Sequence, residues 1–223
     1  MVAYYKMSYM QFLDDLKNIP NIEKNPLDYI FEREKVKLDN NSLLLEFGVY
    51  NGHTINYISK KTNLTVYGFD SFEGLPESWD RKDMTFIKGA FSTNGQLPKV
   101  NNNVTLIKGW FNETLQKFID KNNKPIKFIH IDCDIYSSTK TIFDTLLYKI
   151  GNDCIIVFDE LVNYEGFDRD GELRAFYEFI KENKIKYRYI GMNGRIGDRG
   201  HMHEKVAIRI ISNPKYKKIK WKT

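Results

Sequence analysis

From residue 42 onward five short apolar runs recur, each followed by a stretch of different character. "SLLLEFG" (42–48) leads into the helix-like "GHTINYISKK", and "LTVYGFD" (64–70) into a turn-rich stretch holding "FEGLPESW". "NVTLIKG" (103–109) precedes "NETLQKFIDKN", "KFIHIDCD" (127–134) precedes "SSTKTIFDTLLYKI", and "DCIIVFDE" (153–160) precedes "GELRAFYEFIKEN". Strand cores without polar alternation are buried on both faces, and the intervening helices supply the crossovers that parallel pairing requires. The spacing therefore predicts an α/β fold, a mostly parallel sheet covered by helices on both faces. Two last runs, "KYRYIGMN" (186–193) and "EKVAIRIIS" (204–212), are joined by a Gly-rich loop with no helix and read as an antiparallel hairpin at the sheet edge.

Around this block, 223 residues fit one sizeable domain, and 42% hydrophobic residues suffice for its core. Residues 1–41 read as an N-terminal helical segment, either a lid or partner-facing arm or a plain packing pair. In "SYMQFLDDLKNI" the residues Met10, Leu13, Leu16 and Ile19 recur every third position before Pro20, and Pro26 opens "PLDYIFEREKVKL". The sheet domain spans 42–212, and 213–223 form a basic tail with five lysines. Part of the +5 net charge sits in that tail, which reads as a solvated terminus, so no nucleic-acid partner is expected. Cys133 and Cys154 lie in or beside apolar runs and read as free thiols. No apolar run approaches ~18 residues and no leader pattern opens the chain, so neither a membrane association nor export is expected and a cytoplasmic location is the default.

In open α/β sheets ligands bind outside the carboxyl ends of the strands. An acid at one strand end is commonly only a turn former. Here every strand delivers Gly, an acid or an aromatic to the same edge, which makes that edge the candidate site. The first strand brings Glu46, Gly48 and Gly52, but Tyr50 fills the middle Gly position of a dinucleotide fingerprint. Asp70 ends the second, where an acid can accept both hydroxyls of a ribose, and Ser71 and Phe72 follow, the ring placed to flank an adenine. Gly109 and Trp110 end the third. Asp132 and Asp134 end the fourth, Asp159 and Glu160 the fifth. If those two strands are neighbours, the four carboxylates repel unless a hard cation offsets them: Mg²⁺, with Ca²⁺ or Mn²⁺ as competitors. His130 falls inside a strand and reads as a core residue. His201 and His203 read as surface residues, with substrate contact the alternative; Arg169, Arg195 and Arg199 read as solvated or as anchors for an anionic group on the acceptor.

Taken together, "LLEFGVYNGHT", "VYGFDSFEGLPESW", "LIKGWFNETL", "FIHIDCDIYSST" and "IIVFDEL" resemble the macrocin O-methyltransferase family over about residues 42–182. Its members are S-adenosylmethionine-dependent enzymes that methylate sugar hydroxyls with Mg²⁺. The resemblance implies a Rossmann-like class I methyltransferase fold with a seven-stranded sheet. It places the methyl donor over Glu46, Gly48 and Asp70 with Trp110 near its adenine, and Gly52, Ser71, Phe72, Gly109 and Asp132 among the donor contacts. By the family pattern Asp132, Asp159 and Glu160 hold the metal and Asp134 is the general base. A small-molecule acceptor, a sugar or sugar conjugate, and a homodimer through the N-terminal helices also follow from it. Two positions depart from the pattern: Cys133 replaces a small residue, and Glu160 replaces the second Asp of an Asp-Asp pair. Two other readings stay open. A metal-dependent glycosyltransferase also uses an Asp-x-Asp motif, and a non-catalytic adenosyl-binding module would keep the fold; an NAD-linked oxidoreductase is disfavoured by the broken Gly pattern.

Overall fold

The computed structural model describes residues 6–34, 36, 38–82 and 84–217. Residues 218–223 of the basic tail and 1–5 of the N-terminal segment lie outside the described residues. Five parallel strands form the sheet's body: β1 (Leu43–Phe47), β2 (Val66–Asp70), β5 (Val104–Lys108), β6 (Ile126–Ile131) and β7 (Ile150–Phe158). They are completed by β8 (Lys186–Met192) and β9 (Val206–Ser212), with β9 antiparallel to both β7 and β8. Between β2 and β5 a two-stranded ribbon, β3 (Trp79–Asp80) with β4 (Thr85–Phe86), stands apart from the sheet. The helices are α1 (Tyr9–Asp15), α2 (Pro26–Tyr29), α3 (His53–Ser59), α4 (Phe111–Lys121), α5 (Tyr136–Leu146) and α6 (Glu172–Glu182).

Sheet order is β5-β2-β1-β6-β7-β9-β8. The chain runs outward from β1 to β2 and β5, then returns to β6 and runs the other way. The order thus reverses between β1 and β6, and that switch point is where an open α/β sheet leaves a crevice for a ligand. Apolar residues on alternate strand positions fill two layers. Leu45, Phe47, Ile129, Ile131, Ile156 and Phe158 face one layer; Leu44, Phe128, Ile155 and Val157 face the other. Glu46 and His130 share the face of Leu44 and Phe128, so the register sends a carboxylate and an imidazole into an apolar layer. This layer is completed by Leu27 and Ile30 of the N-terminal segment and by Ile55 and Ile58 of α3.

The N-terminal segment packs differently from its three-residue spacing. Met10 is exposed, and Phe12 takes its place in the core with Leu16 and Ile19. An α-helix repeats every 3.6 residues, so Phe12 and Leu16, four apart, share a face and Met10 does not. Phe12 lies against Tyr177 of α6, ring centroids 5.2 Å apart. Ser8 caps α1: its hydroxyl accepts from the Gln11 N–H and its own N–H donates to Gln11 Oε1. Ser8→Ala should therefore cost ~1 kcal/mol of stability, read as a lower urea midpoint with an unchanged slope. Among the described residues no helix is long and apolar enough to cross a membrane.

Candidate active site

Above the switch point lies a cavity of about 970 Å³. Its floor is built by close approach of two strand ends. The β1 backbone leaves the sheet through Gly48 at φ +86°, and a Cβ there would lie 1.6 Å from the Asp132 carbonyl oxygen. Only glycine fits between the two strands at this point. The ladder then continues one step on each side: the Asp132 N–H donates to Phe47 O and the Asp159 N–H to Ile131 O, both at 2.9 Å. Those bonds fix Asp132 and Asp159 side by side at the cavity edge.

Toward β2, Asp70 organises the neighbouring turns. Its Oδ2 accepts the N–H groups of Val49 and Tyr50 at 2.8 Å, and its Oδ1 accepts the Phe72 N–H at 2.7 Å. Of the residues expected to touch a donor, Gly48, Asp70, Ser71, Trp110 and Asp132 line the cavity. Glu46, Gly52, Phe72 and Gly109 are not among its lining residues. Phe72 is fully buried in the α3-side layer, and Gly52 stands before the first turn of α3. Glu46 is fully buried, its Oε2 3.6 Å from His130 Nδ1.

Toward β6 and β7 the acids meet. Asp132, Asp134 and Glu160 each offer a carboxylate oxygen within 4.8 Å of the others, as do the ligand atoms of His130, Asp132 and Asp159. The Glu160 Oε2 is buried and accepts no hydrogen bond among the described residues. This all-oxygen set with an unsatisfied buried oxygen is the chemistry a hard divalent cation takes. Without a cation, burial followed by the charge of Asp159 pushes the Asp132 carboxyl well above the usual range. Burial, then Asp132 and Asp159, does the same to Glu160. Asp134 sits at φ +66° and is pushed up to about 7 by burial and Asp159, against the pull of Arg81 and His201. Behind it, Glu172 is fully buried at the start of α6, raised by burial and by Asp134, and accepts the Cys133 N–H at 3.3 Å.

His130 is more than a packed core residue. Its Nε2 lies 3.4 Å from Asp159 Oδ1 while its Nδ1 faces Glu46, distances of ion-pair contact without the alignment of a hydrogen bond. Burial works to discharge the ring, but the two carboxylates overcome it and hold its pKa up to about 10. Burial would raise Asp159 too, but His130, His201 and Lys205 hold it well below the usual range. His201 also belongs here. Its ring lies 3.2 Å from Asp159 and 3.7 Å from both Glu160 and Glu204, and it lines the cavity although its side chain is 61% exposed. His203 instead bonds the Asn193 carbonyl through Nδ1. Arg169, Arg195 and Arg199 are absent from the lining among the described residues.

The far wall comes from the β3–β4 ribbon. Trp79 and Tyr164 pack edge to face, and the Arg81 guanidinium covers both rings at 5.1 and 4.8 Å while both its terminal nitrogens donate to Glu204. Arg81, Lys205 and Glu172 carry no sequence signal of this placement: Arg81 follows the aromatic-acid pair "WD" in a turn-rich segment, Lys205 immediately precedes an apolar strand and Glu172 opens an amphipathic helix.

A methyltransferase-domain family model matches residues 45–161, more than half of the chain, from the middle of β1 to just past the end of β7. The chain belongs to the methyltransferase-domain family. The match does not single out the macrocin O-methyltransferase family. No curated protein matches the methyltransferase. Among solved structures it is similar to calicheamicin methyltransferase CalS11, at TM-score 0.60 and 18% identity over 92% of this chain and 86% of that one. An apo structure of CalS11, described as a TDP-rhamnose 3'-O-methyltransferase, aligns at 0.53 and 16% identity, covering 92% and 87%. The O-methyltransferase NovP aligns at 0.52 and 16% identity, covering 91% and 80%. At such identities the likeness is one of fold, a seven-stranded sheet with antiparallel C-terminal strands.

Proposed function

We propose that this methyltransferase uses S-adenosylmethionine to methylate a hydroxyl of a sugar or other small polyol, with a divalent cation, Mg²⁺ first among candidates, at the carboxylate cluster. The observation that carries the reading is one cavity with two chemically distinct halves along one sheet edge. Trp110, Asp70 and Gly48, at the ends of β5, β2 and β1, offer an aromatic surface, a ribose acceptor and a close backbone approach in the order of adenine, ribose and sulfonium. Asp132, Asp134, Asp159 and Glu160 lie one and two strands further. That CalS11 and NovP are O-methyltransferases, and that CalS11 is described as acting on TDP-rhamnose, supports a hydroxyl acceptor here.

In the proposed transfer the acceptor oxygen attacks the sulfonium methyl, the C–O bond forms as the C–S bond breaks, and the hydroxyl proton passes to Asp134. A bound cation supplies a Lewis acid that lowers the pKa of an oxygen it contacts. Asp132, Asp159 and Glu160 are the residues proposed to hold it. Burial makes Asp134 more basic than an ordinary carboxylate, its pKa about 7 with no cation beside it, which suits it to accept a proton. Trp79 and Arg81 line that end of the cavity, with Tyr164 packed behind them. Glu46 lies beneath the floor, 3.6 Å from the other ring nitrogen of His130, with burial raising its own carboxyl pKa.

Binding of S-adenosylhomocysteine by calorimetry, and methyl transfer to a panel of polyols and deoxysugars, test the function. Melting in a chelator tests the cluster. Asp132, Asp134, Glu160 and Glu172 all have raised pKa values in the folded chain, so the fold holds protons that the unfolded chain has released. Their contribution is present below the unfolded pKa and lost as pH rises through the folded one. His130 and His201, raised to about 10 and about 9, act in the same sense. Stability should therefore fall between about pH 5 and 8 in chelator, and Mg²⁺ or Mn²⁺ should restore several degrees at the upper end and little at the lower. A protein that ignores both S-adenosylhomocysteine and divalent cations would refute the proposal.

A further inference from the structure

Asp159 has three cationic side chains against its two oxygens. Its Oδ1 accepts the Lys205 ammonium and lies near His130, while its Oδ2 faces His201. Lys205 is no solvent lysine: its side chain is 11% exposed, its Nζ lies 3.2 Å from His201 Nε2, and it lines the cavity. Backbone register puts it there. Phe158 of β7 pairs with Val206 of β9, so the next step of the antiparallel ladder sets Asp159 opposite Lys205. By contrast, the buried Glu160 Oε2 accepts no hydrogen bond among the described residues, and oxygens of Asp132, Asp134 and Glu160 converge there. The chain itself seats an ammonium on one corner of the cluster, whereas among the described residues Glu160 has only the half-exposed His201 ring beside it, at 3.7 Å.

We propose that Lys205 is a tethered cation that occupies the Asp159 corner of the carboxylate cluster and must be displaced before a divalent ion can engage Asp159. This rests on the cation reading above and adds a residue that sets the cluster's affinity for the ion. An ion at Asp159 would meet the ammonium at contact distance, and two positive centres that close in a poorly hydrated cavity repel strongly. Lys205 keeps Asp159 satisfied while no ion is bound, at the cost of weaker ion binding. It acts through Asp159 and is a positioning residue.

Mn²⁺ is titrated into chelator-stripped protein at one fixed pH and ionic strength, with free ion read by electron paramagnetic resonance. Lys205→Met and Lys205→Gln should bind Mn²⁺ at least about tenfold more tightly than wild type, while Lys205→Arg, which keeps the charge, stays near it. In chelator the neutral variants should melt below wild type, and Mn²⁺ should close that gap. Binding by the neutral variants with none by wild type would also support the proposal. Equal affinities across all four proteins would overturn the role of Lys205 and leave the cation site standing. Absence of Mn²⁺ binding in every variant would overturn the cation site, and the lysine's role with it. If neither neutral variant folds even with Mn²⁺ present, Lys205 is a requirement of the fold and the proposal is likewise overturned.

Discussion

Asp134→Asn is expected to lower turnover by ~10²–10⁴-fold while S-adenosylhomocysteine binds as it does to wild type. Asparagine matches the shape of aspartate and tolerates the left-handed φ of +66° at this position, so the loop between β6 and α5 should keep its course. What disappears is the basic oxygen. Asp134 must be ionised to accept a proton, and burial and Asp159 raise its pKa to about 7. The wild-type rate should therefore fall as pH drops through that region, or through a lower one where a bound cation draws the pKa down, and the variant's residual rate should lose this acidic limb. A variant with wild-type turnover, or with the limb intact, would remove Asp134 from the reaction. Measuring donor binding, rate and pH profile on the same preparation separates loss of the base from loss of the fold.

Gly48→Ala should damage the protein more generally, by about 3 kcal/mol or more. Two effects add. At φ +86° an L-residue is strained, and the new methyl would lie 1.6 Å from the Asp132 carbonyl oxygen, far inside any contact distance. The obstacle is the backbone of the neighbouring strand end, which cannot rotate away as a side chain tip would. Relief requires β1 and β6 to part at the switch point, and that movement displaces Asp132. Chemical denaturation should show the loss of stability, and any folded remainder should bind S-adenosylhomocysteine poorly. The contrast with Asp134→Asn is informative: one variant loses a proton acceptor on an intact floor, the other loses the floor. Wild-type stability in Gly48→Ala would mean that the two strand ends do not approach as closely as described.

Much of this was legible in the chain. The seven strands of the main sheet fall within a few residues of their apolar runs, because strand burial is written locally in β-branched and aromatic content. The convergence of Asp132, Asp134, Asp159 and Glu160 follows from parallel pairing, which sets all strand ends at one edge. The β3–β4 ribbon was not legible. Two-residue strands carry no periodicity, and what holds them is Trp79 against Tyr164 and Arg81 on Glu204, 123 residues away. The buried face of α1 departs from the three-residue spacing for a related reason: that spacing approximates a helix for one turn and then drifts, so Met10 falls outside and Phe12 inside.

By itself the sequence determined the alternation of strands and helices, the edge to which each strand delivers its last residues, and so the inventory of carboxylates at the site. Those depend on neighbours within a few positions. Only the tertiary structure decided which cations answer them. His130 lies between Glu46 and Asp159 because β1, β6 and β7 stand in that order, and Lys205 meets Asp159 because β9 runs antiparallel beside β7. Charge, burial and protonation are set by distances of a few ångströms across strands far apart in the chain, and no local pattern encodes such distances.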